Sequence, residues 1–319
     1  MTVYDHIDSN RRLTALILAL FPLALFLLTC CVCALLAEME VFESGQDAGL
    51  LQSTLDLALI AYPWLFGITS VLIFISYATG DEMILKAAGA REIKYGDYPE
   101  IYTTVDNVAI MAGLPTPKIF LIDDESLNAF ATGRKPETAS LALTTGIVSR
   151  LKRIELEGVI AHEMGHIGNR DTRLMIIVVT GIALFTFAAE VAFRLAIKSG
   201  RGRSKDSGRA RLVLLAVALA FWIFGVFVAP LIKMALSRNR EFLADATSAR
   251  ITHNPDALAD ALEAISEDPR VEILDSRPLM GALCVANPLS ESSLMASLYA
   301  SHPPIEERIG RLRRMARDL

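Results

Sequence analysis

The sequence predicts a membrane α-helical protein with four transmembrane helices, joined to an α+β domain that is itself mostly helical. Hydrophobic residues make up 53% of the 319 residues, charged residues only 21%, and the mean hydropathy is +0.41. Soluble domains are rarely this apolar, so the composition indicates a membrane protein. Between the apolar runs lies a stretch of mixed charge with strand-like alternation, which indicates the α+β domain. The net charge of −5 gives no reason to expect a nucleic-acid partner.

Residues 1–79 are predicted to form an N-terminal membrane hairpin, with spans at about 13–37 and 57–78. The alternative for the first run is a cleaved signal peptide, but the run is longer than a usual signal sequence and no A-x-A site follows it. A pair of arginines precedes the first span, whereas the loop 38–56 contains acidic residues and no basic ones. The positive-inside rule therefore places the N-terminus in the cytoplasm.

Residues 80–173 are predicted to be the first part of the α+β domain. An amphipathic pattern predicts a helix over 98–113, and strands are predicted at 118–122, 127–132 and 138–145, separated by turn signals. A further helix follows the strands. Its buried face is predicted from apolar residues at helical spacing, namely Leu151, Ile154, Leu156, Val159 and Ile160.

Residues 174–236 are predicted to form a second membrane hairpin, with spans at 174–197 and 212–236. Glu190 and Arg194 lie four residues apart in the first of these, and we interpret them as an internal salt bridge because a charge in lipid is costly unless it is paired. The connecting loop is strongly basic, so if both runs cross the membrane the loop violates the positive-inside rule. Either the hairpin enters the membrane shallowly or the first helix has already fixed the topology.

The motif HEMGH, residues 162–166, predicts a metal site on the helix that follows the strands. Residues four apart lie on one helix face, so His162 and His166 can direct both imidazoles at one ion. Glu163 is then placed to take a proton from the attacking water. A match of this kind arises by chance about once in a hundred chains of this length. The apolar spacing upstream favours the metal site over a surface helix that carries two histidines.

A catalytic zinc ion takes three protein ligands, so a third ligand is needed. The second hairpin is followed by SRNREFLAD at 237–245, in which Glu241 and Asp245 lie four residues apart. Glu241 can therefore bind the metal while Asp245 accepts a hydrogen bond from a ligand histidine and fixes its tautomer. The alternative is an exposed amphipathic helix with ordinary acids, and the spacing alone does not decide between the two.

The order of these motifs resembles the HtpX-type membrane zinc metallopeptidases, which are relatives of the CAAX prenyl proteases. The matching segments are HEMGH, Asn169-Arg170-Asp171, the hydrophobic hairpin and SRNREFLAD, followed by LMGALC at 279–284, SHPP at 301–304 and ERI at 307–309. The segment Asn128-Ala129-Phe130 is similar to the edge strand that lines the cleft of thermolysin-like enzymes. Together these matches cover most of the chain.

The resemblance implies a zincin-like catalytic domain in two parts, 80–173 and 237–319, with one Zn²⁺ per chain. His162, His166 and Glu241 would hold the zinc, and Glu163 would be the general base. Asp245 would lie behind a ligand histidine. Asp171 would do the same or face solvent.

The resemblance also implies residues that meet the substrate. Asn128, Ala129 and Phe130 would bind substrate backbone as an added strand. His302 would stabilise the oxyanion or order the Pro303-Pro304 turn. Arg308 would contact substrate or form a structural ion pair.

One geometric argument gives the location of the site. His166 and Glu241 must meet on one ion, so the chain between them crosses the membrane an even number of times. The zinc is then expected near the lipid headgroups on the cytoplasmic side of the cell membrane.

The expected activity is zinc-dependent hydrolysis of peptide bonds in protein substrates, chiefly misfolded or damaged membrane proteins. The alternatives are a CAAX-type prenyl protease, a proteolytically silent membrane protein with structural zinc, and a four-helix transporter or channel.

Overall fold

The computed structural model of the protein describes residues 50–199, 205–235, 238–267 and 303–318, with isolated positions and short stretches between 12 and 37. The helices in these ranges are α1 Leu50–Ala87, α2 Pro99–Ala112, α3 Thr145–Arg150, α4 Arg153–Gly168, α5 Asp171–Ser199, α6 Lys205–Ala235, α7 Arg238–Thr252, α8 Pro255–Glu267 and α9 Ile305–Asp318. The strands are β1 Arg91–Glu92, β2 Lys118–Ile122, β3 Ala129–Thr132 and β4 Ser140–Thr144. His302 and the segment 279–284 lie outside the described residues.

The chain divides into two compact units. The first includes Thr79–Val179 and the described part of Pro230–Leu319, and the second includes the described part of Arg11–Ala78 and Thr180–Ala229. The motifs that predict a metal site all belong to the first unit.

The second unit consists of apolar helix. Among the described residues, one helical segment, Leu50–Ile75, is long and apolar enough to cross a membrane, with a mean hydropathy of 2.1 and 11% of its most apolar window buried. Leu25–Ala34 and Arg211–Gly225 are shorter apolar helices. The part of the chain that the structure describes therefore does not confirm four spans. The charged pair predicted for the third span does form, because Arg194 Nε donates to Glu190 Oε1 at 3.1 Å.

Two of these helices extend beyond the predicted apolar runs. Helix α1 begins at Leu50, inside the predicted acidic loop, and continues to Ala87. Helix α6 begins at Lys205, so Lys205, Arg209 and Arg211 before the fourth apolar run are helical. Hydropathy marks the residues that can lie in lipid, whereas polar residues such as glutamine, lysine and arginine also favour helix, so a helix can extend beyond its apolar run.

The sheet of the first unit is built from the predicted strands. Its order is β1-β2-β4-β3, with β2 parallel to β4 and with β1 and β3 at the edges. β3 runs antiparallel to β4, with Phe130 opposite Ala142. The predictions for β2, β3 and β4 are confirmed with ends that shift by at most two residues. β1 was not predicted because two residues are too short to show alternation.

Helix α4, which carries HEMGH, is surrounded by α2, α7, α8 and β3. The predicted buried face is confirmed for Leu156, Val159 and Ile160, which are at most 6% exposed. Ile154 is the exception, at 57% exposed, because it lies in the first turn of the helix where the chain enters from the surface.

Glycines let α4 approach its neighbours backbone to backbone. A Cβ atom at Gly158 would lie 2.9 Å from the backbone nitrogen of Leu258 on α8, and one at Gly165 would lie 3.3 Å from Cα of Ala244 on α7. The Ser248 hydroxyl on α7 donates to the Gly158 carbonyl at 2.7 Å. Because α7 lies this close, its short acidic side chains reach the histidines of α4.

The close approach gives a stability prediction. Gly158→Ala forces a methyl group against the backbone of α8, and we expect a net loss of about 1–2 kcal/mol, since overpacking outweighs the gain in helix propensity. The measurement is the midpoint of thermal unfolding in detergent. The control is Gly96→Ala, because a Cβ atom there meets nothing within 4 Å. Equal midpoints for the two variants would contradict the packing described for α4.

Candidate metal centre

His162 and His166 converge as their spacing predicts. Both side chains project from α4, and their Nε2 atoms lie 3.2 Å apart. The ring of His162 is buried and that of His166 is 16% exposed. The two rings therefore share one small volume at the surface of the helix.

A carboxylate lies behind each imidazole. His162 Nδ1 is 2.9 Å from Oδ1 of Asp245, and His166 Nδ1 is 3.1 Å from Oδ2 of Asp171. An ionised carboxylate only accepts hydrogen bonds, so each Nδ1 carries a proton and donates it. In the neutral imidazoles that bind a metal ion, each Nε2 then carries the lone pair, and the two Nε2 atoms face each other. In metal sites, a carboxylate that accepts from the Nδ1–H of a histidine fixes the tautomer of the ring and its orientation towards the ion.

A tight turn brings Asp171 back to His166. Asn169 caps α4, and Arg170 takes the left-handed backbone region with φ 59°. The chain therefore reverses within two residues, and Asp171 begins α5 beside the histidine that precedes it. Asp171 is only 5% exposed, so it does not face solvent and lies behind the ring of His166.

Glu241 completes the group from α7. Its Oε2 lies 3.8 Å from Nε2 of His162, and its Oε1 lies 3.6 Å from Nε2 of His166. The candidate ligand atoms of the three residues all lie within 4.8 Å of one another. Two imidazole nitrogens and a carboxylate thus converge on one small volume. Two nitrogens and one carboxylate are the donor set of a catalytic zinc site, so these residues fit Zn²⁺.

The net charge of the buried side chains around the histidines also favours a bound cation. The buried ionisable neighbours are four carboxylates and two guanidinium groups, namely Asp171, Glu163, Glu241, Asp245, Arg240 and Arg308. When all are ionised they leave two negative charges, which a divalent ion neutralises. The same excess acts on His166. Burial lowers its pKa, but the hydrogen bond that its Nδ1–H donates to Asp171 and the charge of Glu241 outweigh burial and raise the pKa to about 9.

Glu163 lies on the same helix between the histidines and the sheet. Its side chain is almost fully buried, and burial raises its pKa, although the neighbouring histidines and a hydrogen bond with the Ala131 backbone oppose the shift. A carboxylate with raised proton affinity beside a metal site is suited to act as a base.

β3 passes beside α4 as the edge strand. Asn128 precedes it, and its Oδ1 accepts from the Ala129 backbone N–H at 3.0 Å. Directly after the strand, the Gly133 carbonyl accepts from the Thr172 hydroxyl at 2.7 Å. β3 pairs with β4, and the described residues place no strand on its other edge. All four of its residues, Phe130 among them, are buried.

The structure thus brings together seven of the residues that the sequence singled out: Glu163, His162, His166, Asp171, Glu241, Asp245 and Arg308. For Arg308 the structure shows an ion pair, with Asp245. One buried neighbour was not anticipated. Arg240 is 7% exposed, and its Nη1 lies 3.8 Å from Oδ1 of Asp171. The sequence indicated that Arg240 lies near the site only through its position directly before Glu241.

Comparison with known proteins gives consistent matches. A model of peptidase family M48 matches residues 97–316. A protein named Protease HtpX homolog from Dictyoglomus thermophilum is 38% identical over 314 residues, which is 98% of this chain and 95% of that protein. The protein of the same name from Bacteroides fragilis is 37% identical over 305 residues, 94% of each chain. The crystal structure of S. mikatae Ste24p aligns with a TM-score of 0.40 at 18% identity, over 88% of this chain and 66% of that one.

Proposed function

The chain belongs to peptidase family M48 as a membrane-associated metalloprotease of the HtpX type, and on that premise we propose that it hydrolyses peptide bonds at a zinc ion held by His162, His166 and Glu241. The observation that carries the proposal is the pair of Nε2 lone pairs. Each imidazole donates its Nδ1 proton to a carboxylate, so both remaining lone pairs face the carboxylate of Glu241. One divalent cation can bind both Nε2 atoms and this carboxylate at once.

Several side chains of the protein then have separate roles in hydrolysis. A bound zinc ion would lower the pKa of water towards neutrality and polarise the scissile carbonyl. Glu163 accepts the proton of the attacking water and passes it to the leaving amine, and its burial holds that proton between the two steps. Asp245 and Asp171 keep both imidazoles in the tautomer that leaves Nε2 free of a proton. His302 stays a candidate for the oxyanion or for the Pro303-Pro304 turn.

The substrate is proposed to be an extended stretch of protein that adds to β3. Among the described residues no strand lies on the outer edge of β3, and an extended peptide can pair there. Asn128, Ala129 and Phe130 would contact it, and Glu163 is connected to the same strand through Ala131. Because β3 is buried, a substrate would reach it only after the strand is uncovered. We propose misfolded or damaged membrane proteins as the substrates.

We propose the location of the site from the constraint that His166 and Glu241 meet on one ion. Helices α5 and α6 contain 29 and 31 residues, and a helix of about 20 residues spans the bilayer core. The chain leaves the metal centre at Asp171 and returns at Glu241, so α5 and α6 cross the membrane as a pair or not at all. With the N-terminus in the cytoplasm, four spans place the zinc at the cytoplasmic face.

Metal removal tests the proposal. We expect cleavage of casein by the purified full-length protein to stop after dialysis against a strong chelator and to return with stoichiometric Zn²⁺. Mg²⁺ should not restore it, because Mg²⁺ prefers oxygen ligands in octahedral geometry. Cleavage at an unchanged rate after the zinc has been removed would sink the proposal. A protein that loses zinc and unfolds, and never cleaved casein when loaded, would instead carry the metal structurally.

A further inference from the structure

A single arginine from the last helix reaches the metal centre. Arg308 lies on α9, and its side chain is 0% exposed. Its Nε donates to Oδ2 of Asp245 at 3.0 Å, and its Nη2 donates to Oδ1 of the same carboxylate at 2.7 Å. This is the bidentate fork that fixes both the plane and the position of a carboxylate.

The same guanidinium group contacts two candidate ligands. Its Nη1 lies 3.7 Å from Oε2 of Glu241, and its Nη2 lies 3.4 Å from each ring nitrogen of His162. One buried cation therefore touches Asp245, Glu241 and His162 together. Burying an arginine completely costs several kcal/mol unless its partners are charged and well placed, so the fork with Asp245 is needed for this position to be tolerated.

The fork has a geometric consequence for His162. Oδ1 of Asp245 accepts from His162 Nδ1 and from Arg308 Nη2, whereas Oδ2 accepts from Arg308 Nε. A carboxylate held only by the imidazole can rotate about its own axis. Held at both oxygens, it keeps Oδ1 in line with the Nδ1–H bond, which fixes the direction of Nε2.

Arg308 is not the only group that attaches α9. Arg313, on the same helix, forms ion pairs with Asp256, Asp260 and Glu263 of α8. Arg313 is 32% exposed and none of its ion-pair partners belongs to the metal centre. The helix thus has a separate anchor, and the position of Arg308 is not explained by docking alone.

We propose that Arg308 is a positioning residue of the zinc site, which acts through Asp245 on His162 and makes the last helix of the chain part of the metal centre. The inference rests on the proposed zinc site, and it adds that the affinity for zinc depends on a residue that does not bind it. A fork is required, so a lysine, which brings the charge without the planar donors, replaces Arg308 incompletely.

The test compares zinc affinity in four full-length proteins in detergent: wild type, Arg308→Gln, Arg308→Lys and Arg313→Gln. Zinc dissociation constants come from competition with a chromophoric chelator, and the visible spectrum of the Co²⁺-substituted protein reports the ligand geometry. We expect Arg308→Gln to weaken zinc binding by about 10–100-fold and to change the Co²⁺ spectrum, as is usual when a partner behind a ligand histidine is lost. Arg308→Lys should fall between this variant and wild type. Arg313→Gln should keep the wild-type constant and spectrum.

Two outcomes overturn the inference. One is wild-type zinc affinity and spectrum in Arg308→Gln. The other is an equal loss of affinity in Arg308→Gln and Arg313→Gln with equal loss of thermal stability, which would show that both residues only dock α9. Failure of the proposed function looks different, because wild type itself would then bind no zinc or cleave no casein. Should Arg308→Gln fail to fold, Arg308→Lys, which keeps the buried charge, decides by the same comparison.

Discussion

Glu163→Gln is expected to lose about 10²–10⁴-fold in the rate of casein cleavage while it keeps zinc and the fold. Glutamine has the size of glutamate, and its carbonyl oxygen can still accept the hydrogen bond from the Ala131 backbone. It cannot take a proton from water at neutral pH, so only the general base is removed. The measurement is the initial cleavage rate at saturating substrate, with zinc content determined on the same preparation.

The matched control for this variant is Glu157→Gln. Glu157 lies on the same helix α4, and it pairs with Arg153 rather than with any residue of the metal centre. We expect it to cleave casein at the wild-type rate. A wild-type rate in Glu163→Gln itself would show that another group accepts the proton.

The second large effect is expected for Glu241→Ala, which should abolish both stoichiometric zinc and proteolysis. Removing a partner behind a ligand typically costs about 10–100-fold in affinity, and loss of a ligand costs more. The change also deletes one of the buried carboxylates that favour a cation beside His166. Zinc content after gel filtration and the casein rate measure the effect.

Glu267→Ala is the control for Glu241→Ala, because it removes an exposed glutamate at the end of α8. It should bind one zinc ion per chain and cleave at the wild-type rate. Full zinc occupancy in Glu241→Ala would show that Glu241 is not a ligand. The ligand set would then no longer join α4 to α7.

Local patterns predict the local parts of this site well. The spacing of His162 and His166 on one helix face needs only helical geometry, and the strands before them follow from alternation. The third ligand could not be predicted in this way. Helical spacing did not decide whether Glu241 and Asp245 belong to the metal site or to an exposed helix, and only the family resemblance favoured the metal site. Local patterns do not indicate which partner a charged residue has in a distant segment. Arg240 pairs with Asp171, although the whole second hairpin separates them in sequence. That pairing depends on how α7 packs against α4.

For the membrane segments, hydropathy predicts the apolar runs but not the extent of the helices. Hydropathy identified four apolar runs, but among the described residues only Leu50–Ile75 is long and apolar enough to be a candidate span. Apolar composition measures the free energy of transfer into lipid, whereas the length of a helix also depends on backbone hydrogen bonds that continue into water. Helices α1 and α6 therefore extend beyond the apolar runs that hydropathy identified at their centres.

X-ray absorption at the zinc edge of the purified wild-type protein tests the ligand set most directly. We expect a first shell of nitrogen and oxygen atoms at about 2.0–2.2 Å, with the multiple scattering of two imidazoles and no sulfur. A sulfur shell at about 2.3 Å, or a protein purified without metal that still cleaves casein, would show that the ion does not lie between His162, His166 and Glu241.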